Sequence, residues 1–260
     1  MPLALVGVVE TTALVESRAD QYAHYLLSVF AEKPKWHSKI RLWNLEERQH
    51  GQSLRRWSEA ANRCFDFESS YARYLDNVKY HMSTGRSVRG SIKDELVSRC
   101  VVEALASGYY AALHDSCDEP LLKDICNRLR QDEARHFSMF HGFLRETGGV
   151  TPGYFLRALF VSLRRMAELD DEQIVYAAYC VGQYNKLDWH RCRKRVAAEY
   201  FVNLLQTYRW KHAYYICGLL LKIFDFGQGT VLHRLISTIL YVLIRLKLQV
   251  SKLRLRWSRR

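Results

Sequence analysis

Glu47-Arg48-Gln49-His50 and Glu133-Ala134-Arg135-His136 are the only two Glu-x-x-His strings in this chain of 260 residues. Each follows another glutamate at nearly the same distance: Glu16 lies 31 residues before Glu47, and Glu103 lies 30 before Glu133. The chain therefore reads as a doubled Glu…Glu-x-x-His. On a helix, three residues turn a side chain by about 300°, so Glu and His at i and i+3 share a face, one turn apart. Both can then reach one metal ion, and a carboxylate can also bridge two.

Fifteen glutamates and ten histidines would yield roughly half a Glu-x-x-His by accident, so a single match would carry little weight. Two matches, each with its upstream glutamate, carry much more. Their neighbours exclude a plain solvated face. Trp43, Glu47, His50, Leu54 and Trp57 fall on one helical stripe, Leu129, Glu133, His136 and Phe140 on a second, and Cys100, Glu103, Ser107 and Tyr110 on a third. Charges on the apolar face of a helix are costly unless paired or bound to metal.

Four carboxylates and two imidazoles, drawn from four helices, form the ligand set that holds two iron or manganese ions in a ferritin-like bundle. Such a mixed set with open coordination positions suits non-haem iron. Glu16 lies on a face of small and apolar residues with Val9, Thr12, Ala13, Ala19 and Ala23, while Glu10 projects from nearly the opposite side and is the weaker candidate. Glu46 and Asp132 sit beside ligands but about 100° away around the helix, which suits solvent or a hydrogen bond to a ligating imidazole.

The rest of the chain is helical in pattern, with no strand alternation. Its four prolines act as punctuation: Pro2 opens the chain, Pro34 separates two periodic segments, and Pro120 and Pro152 each follow a capping residue. The periodicity predicts helices near 5–32, 36–64, 67–82, 92–117, 120–147, 152–167 and 171–185, then 192–224 and 230–255, these last two each open to a break, with 83–91 as a loop. This gives an all-α chain: a four-helix bundle over 1–150, accessory helices over 151–229, and a basic amphipathic C-terminal helix or tail over 230–260.

The seven cysteines are odd in number and form no C-x-x-C pair, and no basic stretch marks a signal peptide. The expectation is reduced thiols in the cytoplasm, packed as small core residues, with Cys100 one turn before Glu103. The net charge of +12 is unevenly spread. No acidic residue follows Asp225, and eight Lys or Arg lie beyond it, leaving about +4 for residues 1–225. The uncharged run Leu235–Ile244 is too short to cross a bilayer. A basic amphipathic end can lie on the inner face of a membrane, meet an acidic protein, or stay a charged terminus. No nucleic-acid motif accompanies the charge, so nucleic acid is not an expected partner.

Arg41-Leu-Trp-Asn-Leu-Glu-Glu-Arg-Gln-His-Gly51 and Asp132-Glu-Ala-Arg-His136 resemble the two signature strings of the soluble acyl-carrier-protein desaturases. The likeness runs from residue 10 to about 145, with Glu103 at the family's spacing and Glu16 and Tyr22 matching its first helix. It implies a di-iron site that activates dioxygen and removes hydrogens from an unactivated carbon chain. In that reading Glu16 and Glu103 each chelate one iron, Glu47 and Glu133 bridge, and His50 and His136 each cap one iron. Tyr109, Tyr110 and Phe140 are candidate channel or electron-path residues, or core. The resemblance further implies an acyl-type substrate, as on an acyl carrier protein, an electron donor such as a ferredoxin, and a homodimer. The chain departs from the family in being shorter before the first ligand helix, in carrying Ala106 where the family has a threonine, and in its basic tail. Hydroxylases and aldehyde-deformylating oxygenases share the ligand spacing. Two further readings stay open: an iron-oxidising storage protein, and a non-catalytic bundle stapled by metal.

Overall fold

The computed structural model describes residues 3–77, 85–168, 172–182 and 186–257. These form α1 (Leu3–Glu16), α2 (Ala19–Val29), α3 (Pro34–Ala61), α4 (Phe67–Asn77), α5 (Ile92–Ser116), α6 (Pro120–Glu146), α7 (Phe155–Ala167), α8 (Glu172–Val181), α9 (Trp189–Leu205), α10 (Trp210–Lys222) and α11 (Val231–Trp257). The fold is all-α, with no strand among the described residues. Residues 78–82 of one expected helix, 171 and 183–185 of another, part of the 83–91 loop, Pro2, and the tail arginines Arg259 and Arg260 lie outside the described residues.

Several boundaries follow from local chemistry. Glu119 caps α6, accepting from the backbone N–H of Leu121 at 2.9 Å and Leu122 at 2.7 Å, and Pro120 opens the helix. The same carboxylate accepts from Trp57 Nε1 at 2.8 Å, tying the end of α3 to the start of α6. Thr151 does not repeat this device. It makes no side-chain cap, and Pro152–Tyr154 form a 3-10 turn before α7 begins.

The expected single helix over 5–32 is two. The chain breaks at Ser17 and Arg18, directly after Glu16. Ser17 Oγ bonds back to Ala13 O at 2.7 Å, and the Ser17 carbonyl accepts from the Tyr71 hydroxyl at 2.8 Å. Gly51 of α3 presses on this corner: a Cβ there would stand 3.1 Å from Ser17 N and 3.2 Å from Glu16 C. The missing side chain lets α3 approach the corner closely. The segment expected over 192–224 likewise divides, between Leu205 and Trp210.

Two apolar clusters set the direction of each helix. One gathers Leu5 and Leu14 of α1, Leu54 and Trp57 of α3, Tyr110 and Leu113 of α5, and Leu122 and Leu129 of α6. The other gathers Leu26 and Phe30, Trp36 and Trp43 of α3, Leu96 and Val101 of α5, and Phe137 and Phe143 of α6. Thus α3 and α5 run the same way, and α6 and the α1–α2 pair run opposite. Parallel α3 and α5 require residues 62–91 to return along the bundle, and α4 lies in that crossover. The C-terminal helices share this core: α7 and α10 pack on α5, α8 and α9 on α1, and α11 on α9 and α10. Gly108 permits the α5–α10 contact, since any Cβ there would overlap the Ile216 side chain.

Candidate metal centre

The layer between the two apolar clusters is ionic. On α3, Glu47 and His50 lie between Trp43 and Leu54; on α6, Glu133 and His136 lie between Leu129 and Phe137. Glu103 enters from α5 and Glu16 from the last position of α1. All six expected ligands meet in space. Glu47, Glu103, Glu133 and His136 present ligand atoms within 4.8 Å of one another, as do Glu16, Glu47 and His50. This buried cluster can hold a metal ion. Glu47, His50, Glu103, Glu133 and His136 are buried, and the half-buried Glu16 lines a cavity.

The two halves are arranged reciprocally. Glu47 places Oε1 3.0 Å from His136 Nδ1 and Oε2 3.7 Å from His50 Nδ1. Glu133 places Oε1 3.3 Å from His50 Nδ1 and Oε2 3.4 Å from His136 Nδ1. Each carboxylate therefore offers one oxygen to each imidazole. His50 Nδ1 is buried without a hydrogen-bond partner, although carboxylates surround it. A nitrogen aimed among carboxylate oxygens without a hydrogen bond fits a ligand atom. The donor set is carboxylate oxygen and imidazole nitrogen, with no sulfur.

Both histidines turn Nε2 outward to a carboxylate. His136 Nε2 lies 2.8 Å from Glu46 Oε2, and His50 Nε2 lies 3.2 Å from Asp132 Oδ2. An Nε2–H donated to carboxylate leaves Nδ1 as the inward lone pair and fixes the ring's orientation. Arg135 holds both outer carboxylates, at 3.2 Å from Glu46 and 2.6 Å from Asp132.

The electrostatics follow from burying four carboxylates together. Burial, and then the charges of Glu47 and Glu133, hold Glu16 well above the usual carboxylate range, partly offset by His50 and Tyr110. Glu103 is raised in the same way, by burial and by Glu133 and Glu47. Burial also pushes Glu47 up, but the hydrogen bond from His136 and the neighbouring His50 imidazole win and hold it low. The imidazoles show the converse. Burial disfavours their charge, yet the carboxylates lift His136 to about 11, and Asp132, Glu133 and Glu47 lift His50 further. Protons and metal cations compete for the same atoms here.

Other candidates fall elsewhere. Glu10 is buried apart from the cluster and accepts from Asn62 Nδ2 at 2.7 Å. Cys100 is a fully buried member of the second apolar cluster, and every described cysteine except Cys64 is buried. Phe140 packs edge-on to Trp43. Tyr110 was legible only as a channel or core residue, yet it donates its hydroxyl to Glu16 Oε1 at 2.6 Å. Ser107 does not substitute for a hydroxyl at Ala106: its Oγ turns to Arg130 O and the Tyr215 hydroxyl, each at 2.8 Å.

A cavity of about 310 Å³ adjoins the ligands. Glu16, Glu47, Glu103 and Glu133 form one wall, Ala106 and Leu105 continue it, and Leu204, Leu240 and Ile244 line it from α9 and α11. Thr12 and Tyr109, hydrogen-bonded to each other, supply hydroxyls in its lining. No sequence signal marked α9 or α11 as part of this wall.

No protein-family model, no curated protein and no solved structure matches the chain.

Proposed function

We propose that the protein is a ferritin-like di-iron oxidase or oxygenase that removes hydrogens from an apolar, acyl-type substrate held in the cavity. The observation that carries this reading is the reciprocal placement of Glu47 and Glu133, each with one oxygen toward His50 and one toward His136. That arrangement suits two bridging carboxylates and two ions. Glu16 and Glu103 supply the flanking carboxylates, and the two Nδ1 atoms complete the set. Held by these six residues, two ferrous ions would supply electrons for the reduction of dioxygen and so the oxidising power needed to break unactivated C–H bonds.

The chain's own residues do the remaining work. Glu46 and Asp132 hold the imidazoles with Nδ1 inward. Tyr110 holds Glu16. Val102, Leu105 and Leu204 exclude water beside the site and give an alkyl chain an apolar wall. Desaturation balances as loss of two hydrogens while dioxygen becomes two waters. It draws two electrons from an external donor of ferredoxin type and two protons from solvent. The adjoining cavity favours an organic substrate over a metal that only staples the core.

The test is incubation of the iron-loaded chain with reductant, oxygen and an extract of lipids and acyl carriers, followed by mass spectrometry. A product lighter by two hydrogens marks desaturation, and one heavier by one oxygen marks hydroxylation. Oxygen use that no extract component stimulates, with no altered product, overturns the reading.

A further inference from the structure

Helix α11 carries three kinds of surface, sorted by angle. At 100° per residue, Leu235, Ile239, Val242, Leu246, Leu253 and Trp257 fall within an arc of about 60°. They are between 47 % and 82 % exposed. The opposite side, with His233, Ser237, Leu248 and Ser251, is buried against the protein. The basic residues lie on the two borders, Arg234, Arg245, Lys252 and Arg256 on one edge and Arg254 on the other, while Lys247 turns inward over the Phe201 ring. The apolar arc extends over about 33 Å of helix rise, from Leu235 to Trp257.

We propose that α11 seats the protein on an anionic lipid bilayer, lying in the plane of the interface with its apolar arc in the acyl boundary and its basic borders among the headgroups. This is the arrangement of an interfacial amphipathic helix. No helix among the described residues is long and apolar enough to cross a membrane, so α11 lies along the surface rather than through it. Charge decides against a second copy as occupant. The segment after Asp225 has no acidic residue, and pairing α11 with itself would set arginine borders against arginine borders. Shape decides against a soluble acidic partner, which would answer the borders and leave the long apolar arc in water. Leu240, Ile244 and Lys247, on the inner side of the same helix, line the cavity that reaches Glu16 and Glu103. A docked α11 therefore places bilayer and cavity on two sides of one helix. The docking stands apart from the chemistry at the metal centre, and iron content measured on the same preparations keeps the two separable.

The experiment is co-sedimentation of the full chain with vesicles of phosphatidylcholine alone or mixed with phosphatidylglycerol. Binding is expected to the mixed vesicles, weakening with salt. The pair Leu246→Glu and Leu253→Glu should reduce it about tenfold or more, as should Arg245→Glu with Lys252→Glu, with helicity and iron content retained. Should a variant fail to fold, the unaltered chain still reports: brominated acyl chains should quench Trp257 fluorescence, read against Trp257→Phe. Absence of binding to mixed vesicles overturns the proposal, as does absence of Trp257 quenching. Binding untouched by the apolar substitutions assigns the contact to charge alone and overturns it too. A dimer of the unaltered chain that Leu246→Glu dissociates makes a second copy the occupant.

Discussion

The Tyr110 hydroxyl donates to Glu16 Oε1 at 2.6 Å, across 94 residues of sequence. Both groups are turned inward, and among the described residues no other hydrogen bond holds Glu16. Tyr110→Phe removes the donor and leaves the ring in its apolar setting. The expected result is about 10- to 100-fold weaker binding of one of the two metal ions, the loss typical when a partner of a ligand is removed. Competition with a chelator, read as a biphasic release, measures it. Unchanged affinity for both ions would remove Glu16 from the ligand set.

Glu46 and Asp132 are partly exposed, so altering them leaves the core intact. Glu46→Gln and Asp132→Asn keep their shape but remove the charge that Nε2 faces. Each should lower metal affinity about 10-fold or more with little change in thermal midpoint. Glu133→Ala or His136→Ala should instead lose most of both ions, because Glu133 faces both imidazoles. Elemental analysis of the purified variants decides between these patterns.

The metal-free chain should become less stable as pH rises through the neutral range. His50 and His136 bind protons more tightly folded than unfolded, so their contribution is complete below the ordinary value of 6.5 and is lost toward about 11 for His136. Glu16 and Glu103, raised above 4.5, act with the same sign from lower pH. Glu47 is held low, so its contribution is present above 4.5 and is lost only on acidification. Between about pH 7 and 9 the thermal midpoint should therefore fall without metal and change less with metal bound. Metal binding should release protons, measurable in weakly buffered solution. A midpoint that rises with pH in the metal-free chain would contradict this account.

Gly51→Val should cost about 1–3 kcal/mol, the usual range for overpacking. The new side chain meets backbone at Ser17 and Glu16, which cannot rotate away. Glu16 should be displaced with the corner, so the metal attached to it should weaken along with the fold. Urea unfolding and metal titration together separate this from Gly51→Ala, whose smaller intrusion should affect stability less.

The shared faces of the candidate residues were legible because helical geometry converts an i, i+3 spacing into a shared face without reference to the rest of the chain. The outer pairs were half-legible: angle alone put Glu46 and Asp132 beside the ligands, but only packing of α3 against α6 sends Glu46 to His136 and Asp132 to His50. The break after Glu16 was hidden. Small residues continue through Ala19 and Ala23, and its determinants, Gly51 and Tyr71, lie far along the chain. The cavity wall from α9 and α11 was hidden for the same reason, since apolar periodicity says that a face is buried but not what it covers.

Five of the six ligand positions lie inside long helices, where turns on both sides set the direction of the side chain. Glu16 alone closes its helix, on a corner held by Tyr71 and fitted against Gly51. Small adjustments of that corner reposition one carboxylate and leave the other five undisturbed. The ionic layer thus has a stiff frame and one compliant limb, and the limb is on the side that borders the cavity. Substitutions at Ser17, Tyr71 or Gly51 are where access to the ions can change while their seat stays the same.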